Sequence, residues 1–84
     1  MADVLLAREA QRELERLPLV IHARVIAVLE RLQDWPAVSG VKPLTGPLAG
    51  RFRIRTGDYR VQFRVQGGTV TVERIGHRDR FYEE

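Results

Sequence analysis

The chain has 84 residues, 44% of them hydrophobic and 30% charged, which is enough for one small globular domain and too short for two. It contains no cysteine, which excludes disulfides, zinc-thiolate sites and a thiol nucleophile. Its apolar runs are too short for a transmembrane helix, and its N-terminus lacks the features of a signal peptide. We therefore expect a cytoplasmic protein.

The net charge of +3 is unevenly distributed along the chain. Residues 1–41 contain five arginines and six acidic residues, whereas residues 42–80 contain eight arginines and Lys42 against three acidic residues. A block of positive charge of this kind indicates a polyanionic partner, and nucleic acid is the leading candidate.

The first half of the sequence predicts a short strand followed by two helices. Val4 to Leu6 form the expected strand, and apolar residues then recur at the spacing of one helix face. Those of the first helix are Ala7, Ala10, Leu14 and Leu17, and those of the second are Ile21, Val25, Val28, Leu29 and Leu32. Pro18 separates the two helices, and Trp35-Pro36 closes the second. We interpret this helical hairpin as scaffold, with a partner-binding surface as the alternative.

Residues 36–50 hold three prolines and three glycines and are predicted to form a connecting loop. From residue 51 onwards the apolar period changes to two, which predicts three antiparallel strands joined by turns at Gly57-Asp58 and Gly67-Gly68. The expected apolar pairs are Phe52 with Phe63, Ile54 with Val61, Val65 with Val70, and Phe63 with Val72. A slip of one residue would destroy this agreement between the two hairpins, so the register is well determined.

The alternation of apolar and polar residues breaks at Arg74 and Ile75, which predicts a bulge or the end of the strand near Glu73. The expected fold is a two-layer α+β single domain over residues 1–84. In it the N-terminal strand and the helical hairpin pack on an antiparallel sheet.

The other face of the predicted sheet collects arginines. The register pairs Arg55 with Arg60, Arg51 with Arg64, and Arg53 with Gln62. Like charges directly across a ladder are destabilising, and the only acid expected on this face, Glu73, is placed opposite Gln62. A phosphate-binding surface would explain the cluster, because arginine holds phosphate through a bidentate fork. The alternative is a solvated edge that is kept soluble by its charge.

The C-terminal segment IGHRDRFYEE brings His77, Arg78 and Tyr82 to the expected border of the arginine-rich face. Tyr82 is suited to base stacking or proton transfer, and the alternatives are an apolar cap or a frayed tail. The sequence has no Walker A loop, no dinucleotide fingerprint and no HExxH motif, and its two histidines do not make a metal site. Any catalysis is therefore expected to need no metal and no other cofactor.

The segments LTGPLAGRFRIRTGDYRVQFRV and VERIGHRDRFY resemble the RelE branch of the RelE/ParE toxin superfamily. The opening VLLAREAQRELERLP fits the first strand and helix of that family. RelE-like toxins are metal-independent endoribonucleases that cut mRNA in the ribosomal A site through attack of the ribose 2′-OH on the adjacent phosphate, which leaves a 2′,3′-cyclic phosphate. The resemblance also implies a cognate antitoxin, expected to be acidic, that covers the basic face or the helices in a hetero-oligomer.

By motif position, the resemblance implies catalytic roles for Arg51, Arg53, Arg60, His77, Arg78 and Tyr82. Further cations expected to bind RNA are Lys42, Arg55, Arg64 and Arg80. Arg51 and Arg53 stand where some relatives have a proton-accepting lysine, and arginine does not give up its proton near pH 7. We therefore expect His77 to be the general base, with Tyr82 as the second candidate.

Two other functions stay open at this point. One is a ParE-type inhibitor of DNA gyrase, which has the same fold and no nuclease activity. The other is a non-catalytic protein that binds RNA or the ribosome, which the absence of the lysine base supports.

Overall fold

The structure is a computed structural model that describes residues 1–80, without the side chain of Arg80. The elements follow along the chain as β1 (Asp3–Leu6), α1 (Arg8–Glu15), α2 (Leu19–Leu32), β2 (Val41–Pro43), β3 (Arg51–Thr56), β4 (Tyr59–Gln66) and β5 (Thr69–His77). A short 3₁₀ helix, Gly46–Leu48, lies between β2 and β3, and another, Arg78–Arg80, follows β5. No helix within residues 1–80 is both long and apolar enough to cross a membrane.

The strands form one sheet in the order β1-β5-β4-β3-β2. The predicted register of the first hairpin is confirmed, since Phe52 lies opposite Phe63. In the second hairpin Val65 lies opposite Val70, also as predicted. Gly57 and Gly67 have φ angles of 61° and 60°, a left-handed conformation that glycine adopts without steric cost. These glycines therefore permit the tight turns that determine both registers.

The neighbours of β1 and β3 differ from the sequence prediction. β1 runs parallel to β5, so the sheet is mixed and not purely antiparallel. Strand periodicity reports which face is apolar but not which strand lies alongside, and this pairing was therefore not accessible from the pattern. Part of the predicted loop forms β2, where Val41 lies opposite Ile54 of β3. Pro43 is compatible with β2 because an edge strand has one side without ladder hydrogen bonds.

A bulge lies in β5 at Glu73. Phe63 pairs with Val72, but Gln62 pairs with Arg74, so Glu73 is the extra residue. The predicted bulge is confirmed. The predicted pairing of Glu73 with Gln62 is wrong, because the extra residue brings Arg74 into that position.

The two helices cover one face of the sheet. The buried core consists of Ala10, Leu14, Val25, Val28, Leu32, Ile54, Val61, Phe63, Val70, Val72 and Ile75. Trp35 packs its ring against Phe52 and Phe63, with ring centroids 5.0 Å and 5.5 Å away. Burial of these apolar side chains is the main favourable term for this fold. The predicted two-layer α+β architecture is confirmed.

Candidate nucleic-acid interface

In the described part of the chain, strands β2, β3 and β4 place six cationic side chains on the sheet face opposite the helices, and we call this the arginine face. Its cations are Lys42 on β2, Arg51, Arg53 and Arg55 on β3, and Arg60 and Arg64 on β4. The predicted pairs Arg51 with Arg64 and Arg55 with Arg60 are confirmed. Because residues directly paired across strands point to the same side of a sheet, the six side chains form one cationic surface.

The centre of the arginine face is buried. Arg60 is 3% exposed and Arg53 is 9% exposed, whereas Lys42, Arg55 and Arg64 are exposed. Arginine stays protonated in proteins, so the buried centre keeps its positive charge. Charges interact more strongly where water is scarce, and an anion at this centre is therefore held more firmly than at a fully solvated surface.

Within residues 1–80, the carboxylate of Glu73 lies among these cations. Its Oε1 accepts a hydrogen bond from Arg51 Nε at 2.6 Å and another from Gln62 Nε2 at 3.3 Å. Its Oε2 lies 3.3 Å from Arg64 Nε. The facing pair Arg51 and Arg64 is therefore bridged by an acid, which the unbulged register did not predict.

His77 lies on the helix-covered face. It pairs with Tyr59, and two residues earlier Ile75 pairs with the buried Val61. The rings of His77 and Tyr59 meet edge to face with centroids 5.4 Å apart, and His77 Nδ1 accepts a hydrogen bond from the backbone N–H of Asp79 at 3.2 Å. From the sequence pattern, we expected His77 to lie beside the arginines. The bulge inverts the side-chain alternation of every later residue in β5, and this moves His77 to the other face.

A cleft of about 320 Å³ separates α1 from β5 beside His77. Glu13 of α1 lines it and accepts a hydrogen bond from the backbone N–H of Ile75 at 2.7 Å. The same carboxylate pairs with Arg74 Nη2 at 3.2 Å. Glu13 therefore joins α1 to β5 just beyond the end of β1. The sequence pattern did not predict this contact.

Arg78 lies at the turn between β3 and β4. Its backbone N–H donates a hydrogen bond to the carbonyl of Asp58 at 2.8 Å, and its exposed side chain has Nε 3.9 Å from Asp58 Oδ1. This is the end of the sheet that carries Arg55 and Arg60. Arg80 belongs to the same 3₁₀ helix.

The predicted site residues therefore fall into three groups. Arg51, Arg53 and Arg60 share the arginine face, and Arg78 lies at one end of it. His77 is separated from them by the sheet. Tyr82 lies outside the described residues.

Several known proteins similar to this chain are toxins. The family described as the ParE toxin of the type II toxin-antitoxin system, parDE, matches residues 4–82. Toxin RelG from Mycobacterium tuberculosis is 38% identical over 76 residues, which are 87% of this chain and 86% of RelG. Toxin RelE3 from Methanocaldococcus jannaschii is 29% identical over 83 residues, 95% and 94% of the two chains. A chain in the crystal structure of the toxin-antitoxin complex RelBE2 from Mycobacterium tuberculosis has a TM-score of 0.80 and 32% identity, and the match covers 90% of this chain and 96% of that one.

The matching sequences and the shared fold define the class of this protein, a toxin of a type II toxin–antitoxin system. The chain belongs to the RelE/ParE toxin superfamily, as the two sequence blocks predicted.

Proposed function

We propose that this toxin is a metal-independent endoribonuclease that cleaves mRNA in the ribosomal A site. The observation that carries the proposal is the burial of Arg53 and Arg60 at the centre of a cationic sheet face. Burying a charge costs free energy, so charges that served only solubility would be expected to remain in water. Guanidinium groups held in such a place are suited to charge-assisted hydrogen bonds with a phosphodiester.

In the proposed reaction the ribose 2′-oxygen forms a bond to the adjacent phosphorus while the bond from phosphorus to the 5′-oxygen of the next nucleotide breaks. The products are a 2′,3′-cyclic phosphate and a 5′-hydroxyl. Negative charge grows on the non-bridging oxygens in the transition state, and Arg53 and Arg60 stabilise it. Arg51 and Arg78 contact the phosphates on either side, and Lys42, Arg55, Arg64 and Arg80 bind the RNA further out.

The 2′-OH must lose a proton and the leaving 5′-oxygen must gain one. Because arginine keeps its proton near pH 7, another group must take part in proton transfer. His77, the base expected from the sequence, lies on the opposite face of the sheet from Arg53 and Arg60. We therefore assign the donation of a proton to the leaving 5′-oxygen to the phenol of Tyr82, the remaining candidate among the residues the sequence singled out, and the 2′-OH gives its proton to solvent water.

We further propose that a cognate antitoxin neutralises this toxin by covering the arginine face. The relative of known structure described above was solved as a toxin–antitoxin complex, which supports a partner of this kind. An acidic antitoxin segment would compete with RNA for the same cations. Outside that complex the toxin would act in the cytoplasm, where mRNA is translated.

Primer extension on a translated message tests the nuclease. Induction of the wild-type toxin should stop translation and leave cleaved transcripts, and Arg60→Ala should lower cleavage by about 100-fold or more, as expected for a lost transition-state donor. Arg12→Ala is the matched control, because Arg12 is exposed on α1 in the other layer and its loss should leave cleavage unchanged. Intact transcripts in cells arrested by the wild type would overturn the proposal.

A second candidate function is inhibition of DNA gyrase, and the ParE description of the matching family favours it. It requires a protein-binding surface and no chemistry. DNA damage and filamentation with translation intact would select this function. Salt-sensitive RNA binding without any cleavage product would instead select a non-catalytic RNA-binding protein.

A further inference from the structure

Glu73 is the only acidic residue on the three inner strands β3, β4 and β5. The bulge removes it from the regular ladder, and its carboxylate contacts cations on β4 and on β3. The contact with Arg51 reaches across β4 to β3, which is farther than direct cross-strand pairing allows.

The contacts of Glu73 are those expected of a bound phosphate. Arg51 Nε and Arg64 Nε approach different oxygens of one carboxylate, at 2.6 Å and 3.3 Å. Carboxylate and phosphate are recognised by the same guanidinium geometry, so two arginines that hold one of these anions can hold the other.

The Arg51–Glu73–Arg64 group is open to exchange with an anion from solution. The side chains of Arg51 and Arg64 are 36% and 49% exposed, and that of Glu73 is 20% exposed. Ion pairs at this degree of exposure contribute little net free energy, and a polyanion that brings several phosphates at once can therefore replace the internal carboxylate.

We propose that Arg51 and Arg64 form an anion site that Glu73 occupies in the free toxin and that an RNA phosphate takes over on binding. This inference rests on the RNA-directed function proposed above. It adds that the carboxylate of Glu73 competes with RNA phosphate for the two arginines. Glu73 lowers the affinity of the free toxin for RNA, because its carboxylate must leave Arg51 and Arg64 before a phosphate can bind there.

The test compares Glu73→Gln with the wild type in binding to a fluorescent single strand of 2′-O-methyl RNA about ten nucleotides long, a length that spans one binding groove. The 2′-O-methyl group blocks the attack on phosphate, so binding is measured without cleavage. Loss of one opposing charge should tighten binding about fivefold at low salt. Because a phosphate takes the site in both proteins, the slope of log affinity against log salt should differ little between them.

The matched control is Glu30→Gln, which makes the same chemical change at an exposed position on α2 in the helix layer. It should leave both the affinity and the salt slope nearly unchanged. If Glu73→Gln behaves like Glu30→Gln, the anion site is overturned. Thermal unfolding of each variant reports whether it is folded, and Glu73→Asp, which keeps the charge on a shorter side chain, should give an intermediate gain if Glu73→Gln is unstable.

A triple variant tests whether the gain comes from this site. In a background that carries Arg51→Ala and Arg64→Ala, Glu73→Gln should tighten binding far less, because both arginines of the site are missing. A gain of the same size in that background would overturn the proposal.

Cleavage of translated mRNA is measured separately. A wild type that cleaves nothing, together with a Glu73→Gln variant that still binds RNA more tightly, would overturn the nuclease and support the anion site.

Discussion

The two faces of the β-sheet use the same strands in opposite ways. On the helix-covered face Val61, Phe63 and Val72 are fully buried, and their burial stabilises the fold without directional contacts. On the arginine face Arg53 and Arg60 are also buried, but burying charge costs free energy unless partners or ligands compensate for it. The comparison indicates that the fold depends on the first face, and the proposed RNA chemistry belongs to the second.

The largest expected effect is on the helix-covered face. Phe63→Ala removes a fully buried ring and should lower the free energy of unfolding by about 3–5 kcal/mol, measured by urea denaturation. Gln66→Ala, at an exposed position on the same strand, should change it by less than about 0.5 kcal/mol. If Phe63→Ala were as stable as the Gln66→Ala control, burial on the helix-covered face would not be what stabilises the fold.

A smaller effect on stability is expected at the turn between β3 and β4, which sets the register of that hairpin. Gly57 has a φ angle of 61°, so Gly57→Ala should destabilise the protein by about 1–2 kcal/mol through backbone strain. The side chain itself has room, because a Cβ there would lie 3.6 Å from Arg24 Nη1. Gly68→Ala is the control: its φ angle is not left-handed and its surroundings are open, so thermal unfolding should show little change or a small gain. Equal losses at the two glycines would contradict the turn geometry.

The smallest effect is expected for His77→Gln. Its cleavage activity tests whether His77 takes part in the reaction at the arginine face. Because the ring contacts Tyr59 on the helix-covered face, primer extension should show cleavage close to that of the wild type. Tyr82→Phe should lower cleavage strongly if the tyrosine transfers a proton. A loss of cleavage in His77→Gln as large as that of Arg60→Ala would mean that His77 reaches the substrate after all.

The hairpin register could be predicted from the sequence because two tight turns and two strict alternations had to agree with each other. The same pattern did not reveal the partner of β1 or the strand β2, since very short edge strands carry almost no periodic signal and pair with residues distant in the chain. The break at Arg74 and Ile75 located the bulge. Its consequence for His77 was missed, because one extra residue inverts all the side-chain orientations that follow.

For the candidate site, alternation was sufficient to place Arg51, Arg53 and Arg60 on one face. It could not predict that Arg53 and Arg60 are buried, because burial depends on how long side chains lie over one another in three dimensions. It also could not predict the reach of Glu73 to Arg51, which spans two strands.

The parallel pairing of β1 with β5 has a consequence for the order of synthesis. Asp3 and Thr69 are partners in this ladder, so β1 cannot pair until β5 has also been synthesised. Contacts between such distant residues form slowly, because a long loop must close first. A copy whose β5 has not yet been synthesised therefore cannot complete its sheet, and the toxin folds only after that strand has left the ribosome.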